Sequence, residues 1–139
     1  MPYFYGSFEH ALDDRGRVAI PARFRRSLQD GGVLRASPDG CAELYAAADF
    51  EAEVANRLGD ASDGRRTARR MRRAFLAAAF EVELDGQGRI VLPQPIRAET
   101  ALDGRVLIVG CGNYVELWDP ERWAQEERSM QSELDEDLR

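Results

Sequence analysis

Short stretches in which apolar and polar residues alternate recur along the 139-residue chain, and they recur in pairs. Arg17-Val18-Ala19-Ile20 and Arg89-Ile90-Val91-Leu92 are β-prone runs, and each stops at a proline that cannot continue a central strand. Ahead of each, a strand ends near Leu12 or Leu84, and a tight polar turn carries Gly16 or Gly88. Pro21 can then open a short helix over Ala22 to Leu28, because proline suits the first helical turn. Pro93 suits that part less well, since Pro95 follows it closely. Two further strands are predicted in each half, 33–36 with 42–45 and 105–109 with 114–118. Asp39-Gly40 and Gly112-Asn113 mark their connections.

Between the halves the apolar spacing lengthens to three and four. Phe50, Val54 and Leu58 predict a helix over 49–58, and 59–64 reads as a break. A second helix is predicted over 65–79, with Ala68, Met71, Phe75 and Ala78 as its apolar stripe. After the second half, Asp119 is a plausible N-cap ahead of Pro120, and a helix runs through Trp123 into a frayed acidic end.

The pairing extends to identities. Residues 8–25, FEHALDDRGRVAIPARFR, and 80–97, FEVELDGQGRIVLPQPIR, agree at eight of eighteen positions with an offset of 72. Composition alone gives roughly one chance identity in such a window. The match resumes at an offset of 73, where Val33-Leu34 faces Val106-Leu107, Glu43-Leu44-Tyr45 faces Glu116-Leu117-Trp118, and Phe50 faces Trp123. The chain is a tandem duplication. Its expected organisation is a first unit at 1–50, a helical connector at 51–77, a second unit at 78–123 and an acidic helix or tail at 124–139.

Composition adds bounds. A hydrophobic fraction of 44% suits a packed core, and no apolar run approaches a membrane span. Met1 to Tyr5 lack the basic start and apolar stretch of a secretory signal, and Cys41 and Cys111 lie far apart without metal-ligand spacing. A cytoplasmic chain with two free core thiols is the expectation. The net charge of −6 weighs against nucleic acid until its distribution is considered. From 119 to 139, eight acids against three arginines leave −5, so residues 1–118 carry only −1. All basic residues but His10 are arginine, which suits phosphate and guanine, although a genomic bias gives the same count.

Candidate chemistry is sparse. His10 has no nucleophile arranged around it and reads as an ordinary strand residue. Trp118 and Trp123 read as packing residues. No phosphate-cradling glycine loop, zinc pattern or catalytic carboxylate pair is present, so an enzyme, a metal site, a cofactor and a small-molecule substrate are not expected. The run from Arg65 to Arg73 is the most basic stretch; a solvated face, or pairing with the acidic tail, is favoured over DNA contact.

What recurs in both halves is Asp-x-x-x-Arg, as Asp13…Arg17 and Asp85…Arg89, inside the order strand, polar turn, Gly-Arg, strand, Pro, Arg. Here the sequence resembles the MraZ family and, more broadly, the swapped-hairpin fold of AbrB-like regulators. The segments GSFEHALDDRGRVAIPARFR, DGCAELYAAADF, FEVELDGQGRIVLPQPIR and GCGNYVELWDPERW carry the resemblance, which covers about residues 3–125. It implies an α+β fold of tandem AbrB/MraZ-like swapped-hairpin β-barrel units, with helices between and after them. It further implies a cytoplasmic, nucleoid-associated regulator, in the family's manner a repressor, of the division and cell-wall gene cluster that includes its own gene. The implied partners are promoter direct repeats in double-stranded DNA and further copies of the chain, in an octamer-to-dodecamer ring.

By the same resemblance, DNA contacts fall on Arg15 and Arg17 in the first unit and Arg89 in the second, with Arg25, Arg26 and Arg97 after the prolines. Gln87 stands where the first unit has Arg15, so the second turn has lost one positive charge. Asp13 and Asp85 would hold the arginines in place, and Gly16 and Gly88 would shape the turns. An ion pair within the chain or between subunits explains Asp13 and Arg17 equally well, and the two roles are compatible. The competing function is an antitoxin-type protein of the same fold that chiefly binds a protein partner. Such proteins usually carry one unit and a disordered tail, whereas here the second unit is complete and the tail short.

Overall fold

A computed structural model describes residues 3–59 and 62–137. Residues 60 and 61, within the predicted break, and 138 and 139, at the end of the predicted tail, lie outside the described residues. The first half contributes β1 (Ser7–Ala11), β2 (Arg17–Ala19), α1 (Ala22–Arg25) running on into a 3₁₀ turn over Arg26–Leu28, β3 (Gly32–Ala36) and β4 (Ala42–Ala46). Then come α2 (Ala47–Leu58) and α3 (Arg66–Leu76). The second half repeats the order with β5 (Phe80–Val82), β6 (Arg89–Val91), α4 (Gln94–Thr100), β7 (Arg105–Gly110), β8 (Val115–Trp118) and α5 (Pro120–Asp137).

Neither half closes a sheet of its own. Six strands form one antiparallel sheet in the order β1-β7-β8-β4-β3-β5, and β2 pairs with β6 in a separate two-stranded ribbon. The first strand of each half therefore lies beside the third strand of the other, β1 on β7 and β5 on β3. A pseudo-two-fold axis runs between Val18 and Ile90 in the ribbon and between Glu43 and Glu116 in the sheet, since each pair sits directly opposite in register. Halves of about 50 residues have a poor ratio of core to surface. The interleaving merges both into one core, where Val18, Leu34 and Leu44 meet Ile90, Ile108 and Leu117.

Strand alternation sorts the side chains. Ala42, Leu44, Val115 and Leu117 face that core, below the ribbon, while Glu43, Tyr45, Glu116 and Trp118 take the opposite face. The helices after each unit cover the second face. Tyr45 meets Phe50 of α2, which stacks on Phe75 of α3, and Trp118 meets Trp123 of α5 edge-on. Phe4 is buried too, and its backbone bonds Gly112, so the N-terminal segment straps the end of β7. Gly110 admits that strap because a methyl group there would lie 2.5 Å from the Phe4 carbonyl carbon.

Several sequence expectations need correction. Val33 pairs with Tyr45 whereas Leu107 pairs with Trp118, so Leu107, not Val106, is the counterpart of Val33. The second half carries extra residues before β7 and a shorter β7–β8 turn, and burial sides with the pairing: Leu34 and Ile108 are both inward. Pro95 does not shorten α4, which is longer than α1; a proline in the first turn lacks only an amide that would have no helical partner. On α3, Met71 is exposed and Ala78 lies beyond the helix, while Ala68 and Phe75 are buried with half-buried Arg72 between them. Cys41 is buried but Cys111 only half-buried, and burial pushes the Cys111 thiol up to about 12. Asp119 does cap α5, accepting from the Arg122 amide at 3.2 Å. That helix continues past Trp123 to Asp137 through Glu, Gln, Arg, Met and Leu, all good helix formers.

Candidate nucleic-acid interface

The two Asp-x-x-x-Arg segments fold into the same turn. Gly16 donates its amide to the Asp13 carbonyl at 3.1 Å, and Asp13 donates to the Arg17 carbonyl at 2.9 Å. Gly88, Asp85 and Arg89 repeat this at 3.0 and 2.8 Å. The glycines sit at φ of +75° and +76°, a left-handed conformation that other residues adopt only with strain.

Each aspartate is the hub of its turn. Asp13 accepts from the amides of Arg15 and Arg17 at 2.9 and 2.8 Å through one oxygen, and from Arg17 Nε at 2.7 Å through the other. Asp85 accepts from the Gln87 and Arg89 amides at 2.8 and 3.0 Å and from Arg89 Nε at 2.9 Å. The guanidinium of Arg89 also reaches across the ribbon to within 3.9 Å of Asp13. Both carboxyls are held below the ordinary carboxylate range, first by the amide of Arg17 or Arg89 that donates to them.

A depressed folded-state pKa stabilises the fold above the unfolded value of about 4. That contribution is lost as pH falls through the lowered folded value. Unfolding measured from about pH 5 down to about pH 2 is expected to show a decline in stability that flattens in the Asp13→Asn, Asp85→Asn double variant. Parallel curves would mean that the turns do not depend on these charges.

Alternation along the ribbon sets what faces outward. Val18 and Ile90 point into the core, so Arg17, Ala19, Arg89 and Val91 share the opposite face. Val91, 54% exposed, is a large apolar side chain left on that face. The ribbon thus offers a narrow strip with small or apolar residues between two oriented arginines. Strand alternation could have brought Ala19 and Val91 forward as interface candidates.

The other expected arginines divide. Arg15 and Arg26 are exposed, Arg15 within the first turn and Arg26 beside Arg25 where α1 runs on into the 3₁₀ turn. Arg25 and Arg97 are half-buried and lie against the turns themselves. Their Nε atoms donate to the Ile20 and Leu92 carbonyls at 2.8 and 3.1 Å. Arg35 and Arg57, not singled out in the sequence, serve neither turn: they surround Glu43 beneath α2 and α3. Among the described residues no group of three or more His, Cys, Asp or Glu is arranged to hold a metal ion, and no helix is long and apolar enough to cross a membrane.

A family profile described as "MraZ protein, putative antitoxin-like" matches residues 3–73 and 75–138. Among curated proteins, the transcriptional regulator MraZ of Thermomicrobium roseum is 42% identical over 130 residues, 94% of this chain and 91% of that protein. The regulator of the same name from Lactiplantibacillus plantarum is 40% identical over 132 residues, 95% of this chain and 93% of its own length. That from Dehalococcoides mccartyi is 35% identical over 131 residues, 94% and 92% of the two chains.

Proposed function

The chain belongs to the MraZ family of transcriptional regulators, and from that membership we propose that it binds double-stranded promoter DNA through the β2–β6 ribbon and its two turns. The observation that carries this reading is the outward pair of arginines, Arg17 and Arg89, each locked by its own aspartate on a two-stranded ribbon. The major groove of B-DNA admits such a ribbon. An arginine whose Nε is held by a carboxylate still has both terminal nitrogens for the two acceptors of a guanine edge. Val91 offers apolar contact to a thymine methyl. Arg15 and Arg26 add phosphate contacts, which position the protein without reading sequence. Direct repeats upstream of its own gene, within a division and cell-wall cluster, are the target, and repression is the sign. The protein acts in the cytoplasm, at the nucleoid.

The test is fluorescence anisotropy on a duplex from the region upstream of the gene and on a scrambled duplex, at two salt concentrations. Tight, salt-sensitive binding to the natural duplex with a clear preference over the scrambled one supports the reading. Equal binding to both would sink it and favour the antitoxin-like alternative, a role centred on a protein partner.

The DNA-binding unit is a closed homo-oligomeric ring built from head-to-tail contacts. Two helices support this. α3 exposes Arg66, Arg69, Arg70 and Arg73, whereas the far end of α5 exposes Glu133, Asp135, Glu136 and Asp137 around Met130 and Leu134. Opposite charges at two separate places on one chain suit a heterologous contact, which closes into a ring when the rotation allows. Sedimentation of Arg70→Glu, Arg73→Glu is expected to show smaller assemblies, and adding Glu133→Arg, Glu136→Arg to restore them. A size unmoved by the first pair of substitutions would exclude this contact.

A further inference from the structure

The prolines that end β2 and β6 turn the chain so that the arginine four residues on folds back toward the ribbon. Because the ribbon is antiparallel about the Val18–Ile90 pair, the end of each strand lies beside the turn that opens the other. Ile20 accordingly donates its amide to the Gly88 carbonyl at 2.9 Å, and Leu92 donates to the Gly16 carbonyl at 2.7 Å. Ile20 and Leu92 in turn accept from Arg25 and Arg97. Each arginine is thereby tied to the turn of the opposite unit.

The glycines show how close that tie is. A methyl group on Gly88 would lie 2.5 Å from Arg25 Cζ and nearer still to its Nε, and one on Gly16 would lie 3.2 Å from Arg97 Cζ. Both glycines are buried although their turns are at the surface. The cover is the guanidinium, which lies where a side chain would otherwise stand. Gly88 thus serves two ends, the left-handed backbone and the room for an arginine from the other half, and Gly16 serves the same ends with a looser fit.

We propose that Arg25 and Arg97 are crosswise positioning residues: Arg25 fixes the second unit's turn, Asp85 to Arg89, and Arg97 fixes the first unit's turn, Asp13 to Arg17. The assignment rests on the proposed reading of these turns as the DNA-contacting elements. It gives the two arginines a different task from the exposed Arg15 and Arg26, whose side chains stand free to meet phosphate. It also couples the turns, since each half supplies the brace of the other.

Hydrogen–deuterium exchange of the full-length assembly, read by mass spectrometry on peptides spanning 84–92 and 12–20, tests the crosswise placement without DNA. Arg25→Ala is expected to speed exchange several-fold across 84–92 and, within 12–20, only at the Ile20 amide that bonds Gly88, and Arg97→Ala to do the reverse, sparing all of 84–92 but the Leu92 amide. Arg25→Lys, which keeps the charge but lacks the planar group and its Nε–H, is expected to behave like Arg25→Ala. Exchange that rises equally in both peptides, or only in the arginine's own unit, overturns the proposal.

Anisotropy supplies the second readout. A positioning arginine is expected to lower the ratio of specific to scrambled binding and leave the salt dependence unchanged. A phosphate contact lowers both affinities alike and reduces the salt slope by about one for each arginine lost, and full rescue by lysine points the same way. Either of those results would overturn the assignment. If no variant distinguishes the two duplexes but exchange still responds crosswise, the brace stands and the DNA reading fails.

Discussion

Replacing Arg17 with alanine is expected to weaken binding to the natural upstream duplex by about tenfold to a hundredfold, with a far smaller loss on a scrambled duplex. The estimate follows from the roughly 1–3 kcal/mol by which a bidentate arginine–guanine contact discriminates between bases. Arg17 is ready for such a contact because Asp13 engages its Nε at 2.7 Å and orients the fork before DNA arrives. A flexible arginine would lose part of the gain in being ordered. Arg89→Ala is expected to cost less. One of its terminal nitrogens already faces Asp13 at 3.9 Å, and its turn carries Gln87 where the first carries Arg15. Anisotropy titrations of both variants, with circular dichroism to establish folding, check the order. Equal losses on both duplexes would reduce Arg17 to a phosphate contact, and a larger effect at Arg89 would invert the proposed dominance of the first unit.

The largest loss of stability is expected from Glu43→Ala, about 3–5 kcal/mol. Glu43 is 4% exposed on the outer face of β4 and accepts from Arg35 Nη1 at 2.7 Å and the Tyr45 hydroxyl at 3.1 Å. Arg57 approaches its second oxygen at 3.4 Å. Removing the carboxylate strands Arg35, itself buried, against the face of Phe75, whose ring centre lies 4.0 Å from Cζ. That cation–π contact contributes about 2 kcal/mol and leaves the lost carboxylate's hydrogen bond unmade.

A smaller effect opposes the loss. Glu43 lies opposite Glu116 across the β4–β8 pair, and like charges placed so repel by under about 1 kcal/mol. Glu116 is already served by the Trp118 indole N–H at 3.0 Å, so the relief is minor. Urea unfolding of Glu43→Ala against Glu43→Gln, which keeps the shape and two polar atoms, measures the charge. A midpoint equal to that of the unsubstituted protein would show that Arg35 finds another partner.

Much of this arrangement was readable in the chain. The doubled Gly-Arg turn and the prolines gave the order of elements because glycine and proline restrict the backbone wherever they stand. The aspartate of each turn was marked by its spacing from the arginine. The slip of one residue between β3 and β7 was not readable, since Val33-Leu34 and Val106-Leu107 are chemically alike and only the pairing tells which valine lies inward. Nor could Glu43 be recognised. In Ala42-Glu43-Leu44-Tyr45 an acid on the alternate face reads as solvent-facing, and its burial comes from α2 and α3 folding over that face. The crossing of Arg25 and Arg97 depends on contacts between residues more than sixty positions apart, which no local pattern reports. The even continuation of α5 was hidden by its acidity, although its helix formers were in view.

The interleaved sheet changes what kind of target such a protein can recognise. Two identical chains joined about a true dyad must present identical surfaces, so the sequence they prefer is drawn toward a palindrome. Here both halves of the axis are encoded in one gene, and each is free to mutate alone. Gln87 stands where the first half has Arg15, so the two turns are already unequal. If the ribbon reads DNA as proposed, separate letters of the target fall to separate halves of one molecule, and a site without inverted symmetry is the one expected to suit it best.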